Sequence, residues 1–359
     1  MFAVVMCHCC DPFTFTPSVR DPEILRCGAV YGSMLRPCVP LFVMITGALL
    51  LPVRQPTGPF LRRRIGRVVW PFLLWSMLYC LFPWLLRLVG LGADTLLAFF
   101  PYASEALQQQ SLGLSLENCL KIATNFGEID AHMWYIYLLI GLYLYMPIFS
   151  AWVEKASERA KLAFLCVWVV TLFIPYYREY VDPYIWGSCS WNEFSALYYF
   201  AGFNGYLLAG HYLRNHRPSM RQLLLFGVPA FAIGYAVTFF GFSKVISTPG
   251  HTAEQLELFY YFLSPNVALM TIPIFALTSH INPQSPRIRT LLADLTACGF
   301  GVYMVHFFLT GPCIALMRAI DAPLYCQIPC AALIAFPVSW AFAHGVRALL
   351  GRRARYVVG

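Results

Sequence analysis

Long apolar runs separated by short polar connections dominate the chain. A helix that crosses the hydrocarbon core of a bilayer needs about 20 mostly apolar residues. Nine segments meet that requirement: 34–52, 66–90, 132–153, 162–178, 194–213, 222–242, 257–279, 296–318 and 324–347. The chain also opens on MFAVVMCHCC, an apolar stretch of half the needed length. It lacks the basic start and small-residue cleavage site of a signal peptide, so it reads as the second half of a helix. The pattern predicts an all-α fold, a polytopic transmembrane helix bundle of ten spans with the first truncated at its N-terminus. It forms one integral-membrane domain over 1–359, with a basic cytoplasmic tail at 347–359.

Composition agrees with this pattern. Hydrophobic residues make up 59% of the chain and charged residues only 12%, whereas a soluble domain carries roughly 25% charged residues. A cytosolic enzyme, a disordered chain and a coiled coil are thereby excluded. The formal charge of +8 does not call for nucleic acid, because basic residues also set orientation in a bilayer. Seventeen of the 25 Lys and Arg residues fall in alternate connections and the tail: Arg54 to Arg67, Lys155 to Lys161, Arg214 to Arg221, Arg287 with Arg289, and Arg347 to Arg355. The opposite connections are poor in them and hold Glu105, Glu117, Glu128, Asp130, Glu179, Asp182, Glu254, Glu257 and Asp321. The positive-inside rule then predicts a multi-pass protein with both termini cytoplasmic in the complete protein; the inner membrane is the expected location.

No soluble domain interrupts the spans, and the longest connection, 91–131, is too short to hold one. Gly299-Phe300-Gly301 lacks the strand and third glycine of a dinucleotide fingerprint, and Walker, His-Glu-x-x-His and Gly-x-Ser-x-Gly sequences are absent. Any chemistry belongs to residues in spans and short loops, where an ionisable group costs several kcal/mol unless paired or facing a polar cavity. His8 is one such group. A neutral imidazole can serve as general base near pH 7, and Asp11, three residues on, shares its helical face. The alternative is a histidine satisfied by a neighbour at a helix end. His132 opens a span rich in aromatics (Trp134, Tyr135, Tyr137), which also suits an interfacial belt. His306 sits within a span, either in a cavity or in an interhelical hydrogen bond. His211, His216, His251, His280 and His344 lie near span ends or in loops and read as structural.

Arg62, Arg63, Arg64 and Arg67 cluster at a helix start. They suit either topology and lipid phosphate or an anionic cytoplasmic ligand, since guanidinium pairs well with phosphate. Arg64 and Arg67 are spaced to face one phosphate together. Cys7, His8, Cys9 and Cys10 do not suggest a metal centre, because consecutive helical residues diverge by about 100°. Cys27 and Cys38, both expected on the outer side, could pair.

Four segments in order, AVVMCH, VPLFVMITGALLL with RRRIGRVVWPFLLW, HMWYIYLLIGLYLYMPI and GVYMVHFFL, resemble the acyltransferase-3 family of integral-membrane acyl-CoA-dependent O-acyltransferases. The nearest likeness is to the branch that O-acetylates surface polysaccharide. The resemblance runs from Met1 to about Phe308 and is weak over 91–130 and 176–255. It implies transfer of an acyl group, acetyl in most members, from cytoplasmic acyl-CoA to a hydroxyl of a cell-surface glycan or its lipid-linked precursor. It further implies that His8 is the family's first-helix histidine, the leading candidate for general base, which the spacing lets Asp11 orient. His306 falls on a recurrent family position and could be a second acid or base or a cavity wall. Arg64 and Arg67 match the family's R-x-x-R at the acyl donor, with Arg62 and Arg63 beside them. His132, Trp134 and Tyr303 fall on recurrent family positions. The implied partners are the lipid bilayer and the glycan acceptor; acetyl-CoA is the expected donor, without a metal. The family also places an arginine eleven positions before the first-helix histidine, a point that precedes Met1 here. The expected explanation is a coding start set too late; the alternative is an inactive truncated member. From another class, a transporter or flippase for a lipid or glycan intermediate would use the same buried polar residues as a path.

Overall fold

The computed structural model describes residues 1–16, 19, 21–250 and 252–359; His251 lies outside the described residues. Its principal helices are α1 (Phe2–Cys9), α2 (Pro22–Leu35), α3 (Cys38–Leu50), α4 (Thr57–Leu88), α5 (Leu112–Lys121), α6 (Trp134–Lys155), α7 (Glu158–Thr171), α8 (Asn204–Asn215), α9 (Val228–Ile246), α10 (Pro265–Thr278), α11 (Pro286–Val305), α12 (Phe307–Ala319) and α13 (Leu324–Leu350). Among the described residues the sole β feature is an isolated bridge between Cys189 and Asn192. Helices satisfy every backbone polar group within one segment, which hydrocarbon demands.

Among the described residues seven helical stretches are long and apolar enough to cross a membrane: Pro22–Leu50, Thr57–Leu88, Ala131–Lys155, Glu158–Tyr180, Met220–Ile246, Pro286–Val305 and Leu324–Tyr356. Three further apolar helices are shorter, Phe2–Thr14, Pro265–Thr278 and Phe307–Ala319. The count of ten spans with the first truncated is therefore not confirmed. Several expected segments are interrupted, two of them with a clear local cause. The 194–213 segment is a 3₁₀ turn over Ser195–Phe200 followed by α8, because Gly202 between them takes φ +97°, a conformation that ends a right-handed helix. The 296–318 segment is split at His306 into α11 and α12. Its imidazole Nδ1 lies 2.8 Å from the Tyr303 carbonyl oxygen and 3.2 Å from that of Val302. Such a local side-chain bond competes with the helix ladder.

The chain forms two compact units. One comprises Met1–Tyr31, Gln55–Leu144 and Pro283–Gly359. In it α1 packs on α12 and α13, α11 and α12 both pack on α13, and α4 packs on α5. The connection 91–131 contributes to this core, with Leu96 and Phe100 fully buried. Residues 347–359 are not a free tail. Arg347 belongs to α13, and Gly351–Tyr356 forms a 3₁₀ turn with Ala354 and Val358 buried. Trp75 Nε1 donates to the Val357 carbonyl at 2.8 Å. The small and apolar residues four apart turn inward while Arg352, Arg353 and Arg355 stay exposed.

The second unit comprises Gly32–Arg54 and Tyr145–Asn282. Here α3 and α8 meet backbone to backbone. A Cβ on Gly47 would lie 2.0 Å from the Leu207 carbonyl oxygen, and one on Gly210 would lie 2.0 Å from that of Met44. Small residues allow this approach in a bilayer, where van der Waals packing replaces the hydrophobic drive. Near these helices His211 Nδ1 bonds the Leu51 carbonyl at 3.1 Å, and Arg214 donates to the Ala48 carbonyl. His216 stacks on Tyr212, and His280 Nε2 bonds the Pro218 carbonyl at 2.9 Å.

Candidate active site

Three histidines from three distant parts of the sequence meet in the first unit. His8 ends α1, and Pro12, just beyond, begins the next helical turn, Asp11–Thr14. His132 lies in the 3₁₀ turn Ala131–Met133 that leads into α6. His306 occupies the junction of α11 and α12. Ring centroids are 5.3 Å apart for His8 and His306, 5.3 Å for His132 and His306, and 6.3 Å for His8 and His132. Phe307 is packed against the trio, 4.4 Å from His132 and 4.9 Å from His8.

Hydrogen bonds distinguish the three rings. His8 Nδ1 is 2.8 Å from Asp11 Oδ2. Donation to a carboxylate places the proton on Nδ1 and leaves Nε2 as the basic nitrogen. The Tyr303 carbonyl, 2.8 Å from His306 Nδ1, can only accept. His306 therefore carries its proton on Nδ1, and its buried Nε2, without a partner, keeps a lone pair. His132 is 1% exposed and neither of its nitrogens has a partner. A neutral imidazole there offers one unspent donor and one unspent acceptor. Buried polar groups are normally paired, so these nitrogens are the atoms of the cluster available to a polar partner.

The surrounding wall is aromatic. Tyr303 donates its hydroxyl to the His132 carbonyl, and Tyr79 donates to the Met304 carbonyl at 2.9 Å. Tyr79 also lies 5.2 Å from His132 and stacks on Phe308 at 4.0 Å. Burial and the nearby Asp11 carboxylate push the Tyr102 hydroxyl well above the ordinary tyrosine range. Asp130, two residues before His132, is 2% exposed, and burial raises its carboxyl to about 6. The Gly127 amide donates to it at 2.6 Å.

His8, Asp11, His132, Tyr303 and His306 thus come together. Trp134 stands one layer back, on Tyr135, whose ring is 6.1 Å from both Trp134 and Tyr303. The arginines do not join the trio. Arg62, Arg63, Arg64 and Arg67 lie near the start of α4, and among the described residues none forms an ion pair. At the helical rise per residue, Arg67 and Arg64 lie about 18 and about 22 Å along α4 from Tyr79. Tyr79, Phe307, Tyr102 and Asp130 carry no distinguishing sequence signal. They are aromatic or acidic residues in runs full of such residues, and only the packing selects them.

Thiols do not enlarge the site. None of the thirteen cysteines is in a disulfide, so Cys27 and Cys38 are not joined. Cys10 Sγ donates to the Met6 carbonyl and Cys9 is fully buried. Among the described residues the sole trio of His, Cys, Asp or Glu with donor atoms within 4.8 Å of one another is Asp294, Cys298 and His344, away from the three histidines. A family described as an acyltransferase domain matches residues 1–344. No curated protein and no solved structure matches the chain.

Proposed function

The chain belongs to the acyltransferase-3 family, whose domain covers residues 1–344, and on that premise we propose that it O-acylates a glycan. The acyl group, acetyl in the simplest case, comes from cytoplasmic acyl-CoA. It goes to a hydroxyl of a cell-surface glycan or its lipid-linked precursor. The observation that carries this reading is the convergence of three imidazoles in one buried cluster with aromatic neighbours, one of them bonded to a carboxylate.

His8 Nε2 takes the proton of the acceptor hydroxyl as its oxygen attacks the thioester carbonyl carbon. Asp11 stabilises the imidazolium that results, the orienting role a carboxylate plays beside a base. His306 Nε2, an acceptor, takes a hydrogen bond from a second hydroxyl of the glycan and so positions the attacking one. His132, whose donor is unspent, faces the oxyanion that develops on the carbonyl oxygen; preorganised donors of this kind are worth about 10²–10³ in rate. The carbon–sulfur bond then breaks, and the imidazolium returns its proton to the departing thiolate. Arg64 and Arg67, with Arg62 and Arg63, hold the donor's phosphates at the cytoplasmic end of α4. The thioester arm bridges the distance from there to the histidines. The reading places the protein in the inner membrane, and the basic loops support cytoplasmic termini in the complete protein.

The test uses the purified full chain in nanodiscs with acetyl-CoA and a lipid-linked glycan extract, reading release of the CoA thiol and label on the glycan. His8→Ala is expected to lose about 10²–10⁴-fold with an unchanged unfolding temperature. Arg64→Ala with Arg67→Ala is expected to raise KM for the donor more than it lowers kcat. A His8→Ala variant acylating at the wild-type rate overturns the assignment.

A further inference from the structure

A second group of side chains lies between α11 and α13, helices that pack along each other. Asp294 and Cys298 are four residues apart on α11 and so share one helical face. His344 reaches them from α13. One donor atom from each lies within 4.8 Å of the other two. His344 Nδ1 is 3.1 Å from each Asp294 oxygen, and Cys298 Sγ is 3.9 and 4.0 Å from the same two oxygens. A tetrahedral zinc site of ordinary bond lengths has edges of about 3.4 Å from nitrogen to oxygen and about 3.6 Å from sulfur to oxygen. The nitrogen–oxygen and sulfur–oxygen separations differ from these by a few tenths of an ångström, and sulfur and nitrogen lie within 4.8 Å of each other.

Donor chemistry points the same way. Thiolate and imidazole favour zinc and its transition-metal neighbours over magnesium or calcium. A thiolate and a carboxylate together neutralise a divalent ion, and three protein ligands leave a fourth position for water. The carboxylate is already oriented from behind, since Trp340 Nε1 donates to Asp294 Oδ2 at 2.7 Å. Ligating carboxylates carry such outer hydrogen bonds. Arg347 is engaged with the Ala297 carbonyl at 3.2 Å. The His344 side chain is 56% exposed, which opens a path for an ion, while Cys298 is fully buried.

We propose that Asp294, Cys298 and His344 form a binding site for a divalent cation of the zinc class, clamping α11 to α13. Because α11 carries Tyr303 and leads directly into His306, the bound ion restrains the helix that supplies part of the histidine pocket. The proposal stands independently of the acyl donor and acceptor.

The test strips the purified full chain with a chelator and titrates it with Co²⁺, whose thiolate charge-transfer absorption reports a bound cysteine. One equivalent should bind with that absorption, and Zn²⁺ should displace it. Cys298→Ser should abolish the band. Trp340→Phe should retain it with an affinity about 10–100-fold weaker. His344→Ala, at an exposed position, should weaken binding without loss of fold. Cys166→Ser and Cys326→Ser, at exposed thiols, should leave the titration unchanged. Equal Co²⁺ binding by wild type and Cys298→Ser, or no thiolate band with cobalt in excess, overturns the proposal and leaves a hydrogen-bonded Asp294–His344–Trp340 network.

Discussion

At the scale of single residues, His132 is the costliest side chain in the pocket. Each polar atom buried without a partner costs about 1–3 kcal/mol, and His132 buries two. Its neighbours are aromatic: Tyr79, Tyr303 and Phe307. His132→Phe should therefore raise the unfolding temperature while acyl transfer falls, the exchange of stability for function expected where a site is built for a ligand. Calorimetry and thiol release on the same preparation check both halves. Asp130 makes a prediction of opposite character. Its folded carboxyl, at about 6, lies above the ordinary 3.8. The folded state thus binds the proton more tightly than the unfolded chain, and stability falls as pH rises through that window. At 1.36 kcal/mol per pKa unit the loss amounts to roughly 3 kcal/mol. Unfolding at pH 4 and at pH 7 should show that decline in the wild type and not in Asp130→Asn.

At the scale of elements, both the junctions and the contacts carry information. Splitting 296–318 at His306 places the imidazole where α11 passes into α12, so that ring is held by carbonyls of its own helix. The α3–α8 contact depends on two glycines whose absent side chains admit the opposing carbonyls. Gly47→Leu or Gly210→Leu should destabilise the protein by about 1–3 kcal/mol or more through overpacking. Gly141→Ala, where an added Cβ meets nothing within 4 Å, should be near neutral. Thermal unfolding of the three variants side by side tests the contrast.

For the molecule as a whole, the orderly alternation of basic and acidic connections predicts which loops share a side. In a background lacking the native cysteines, Arg289→Cys should react with a membrane-impermeant thiol reagent only from the cytoplasmic side. Glu117→Cys should react only from the outer side. Labelling of both from one side would overturn the orientation. Residues 351–359 show how far such reasoning extends. Their arginines were legible as interfacial charge, but the burial of Ala354 and Val358 against the bundle was not.

The chain's own order of residues determined that it is helical, that it is multi-pass and where most apolar helices run, because a bilayer reads hydrophobicity one segment at a time. It also singled out His8 with Asp11, since three residues along a helix is a local distance. Tertiary structure alone decided that His132 and His306 join them, with Tyr79 and Phe307 as walls, and that the arginines lie about 20 Å farther along α4. The distance along α4 follows from residue count once the helix is known to be continuous. The three histidines, by contrast, lie more than a hundred residues from one another, and no spacing in a sequence encodes their meeting; packing does.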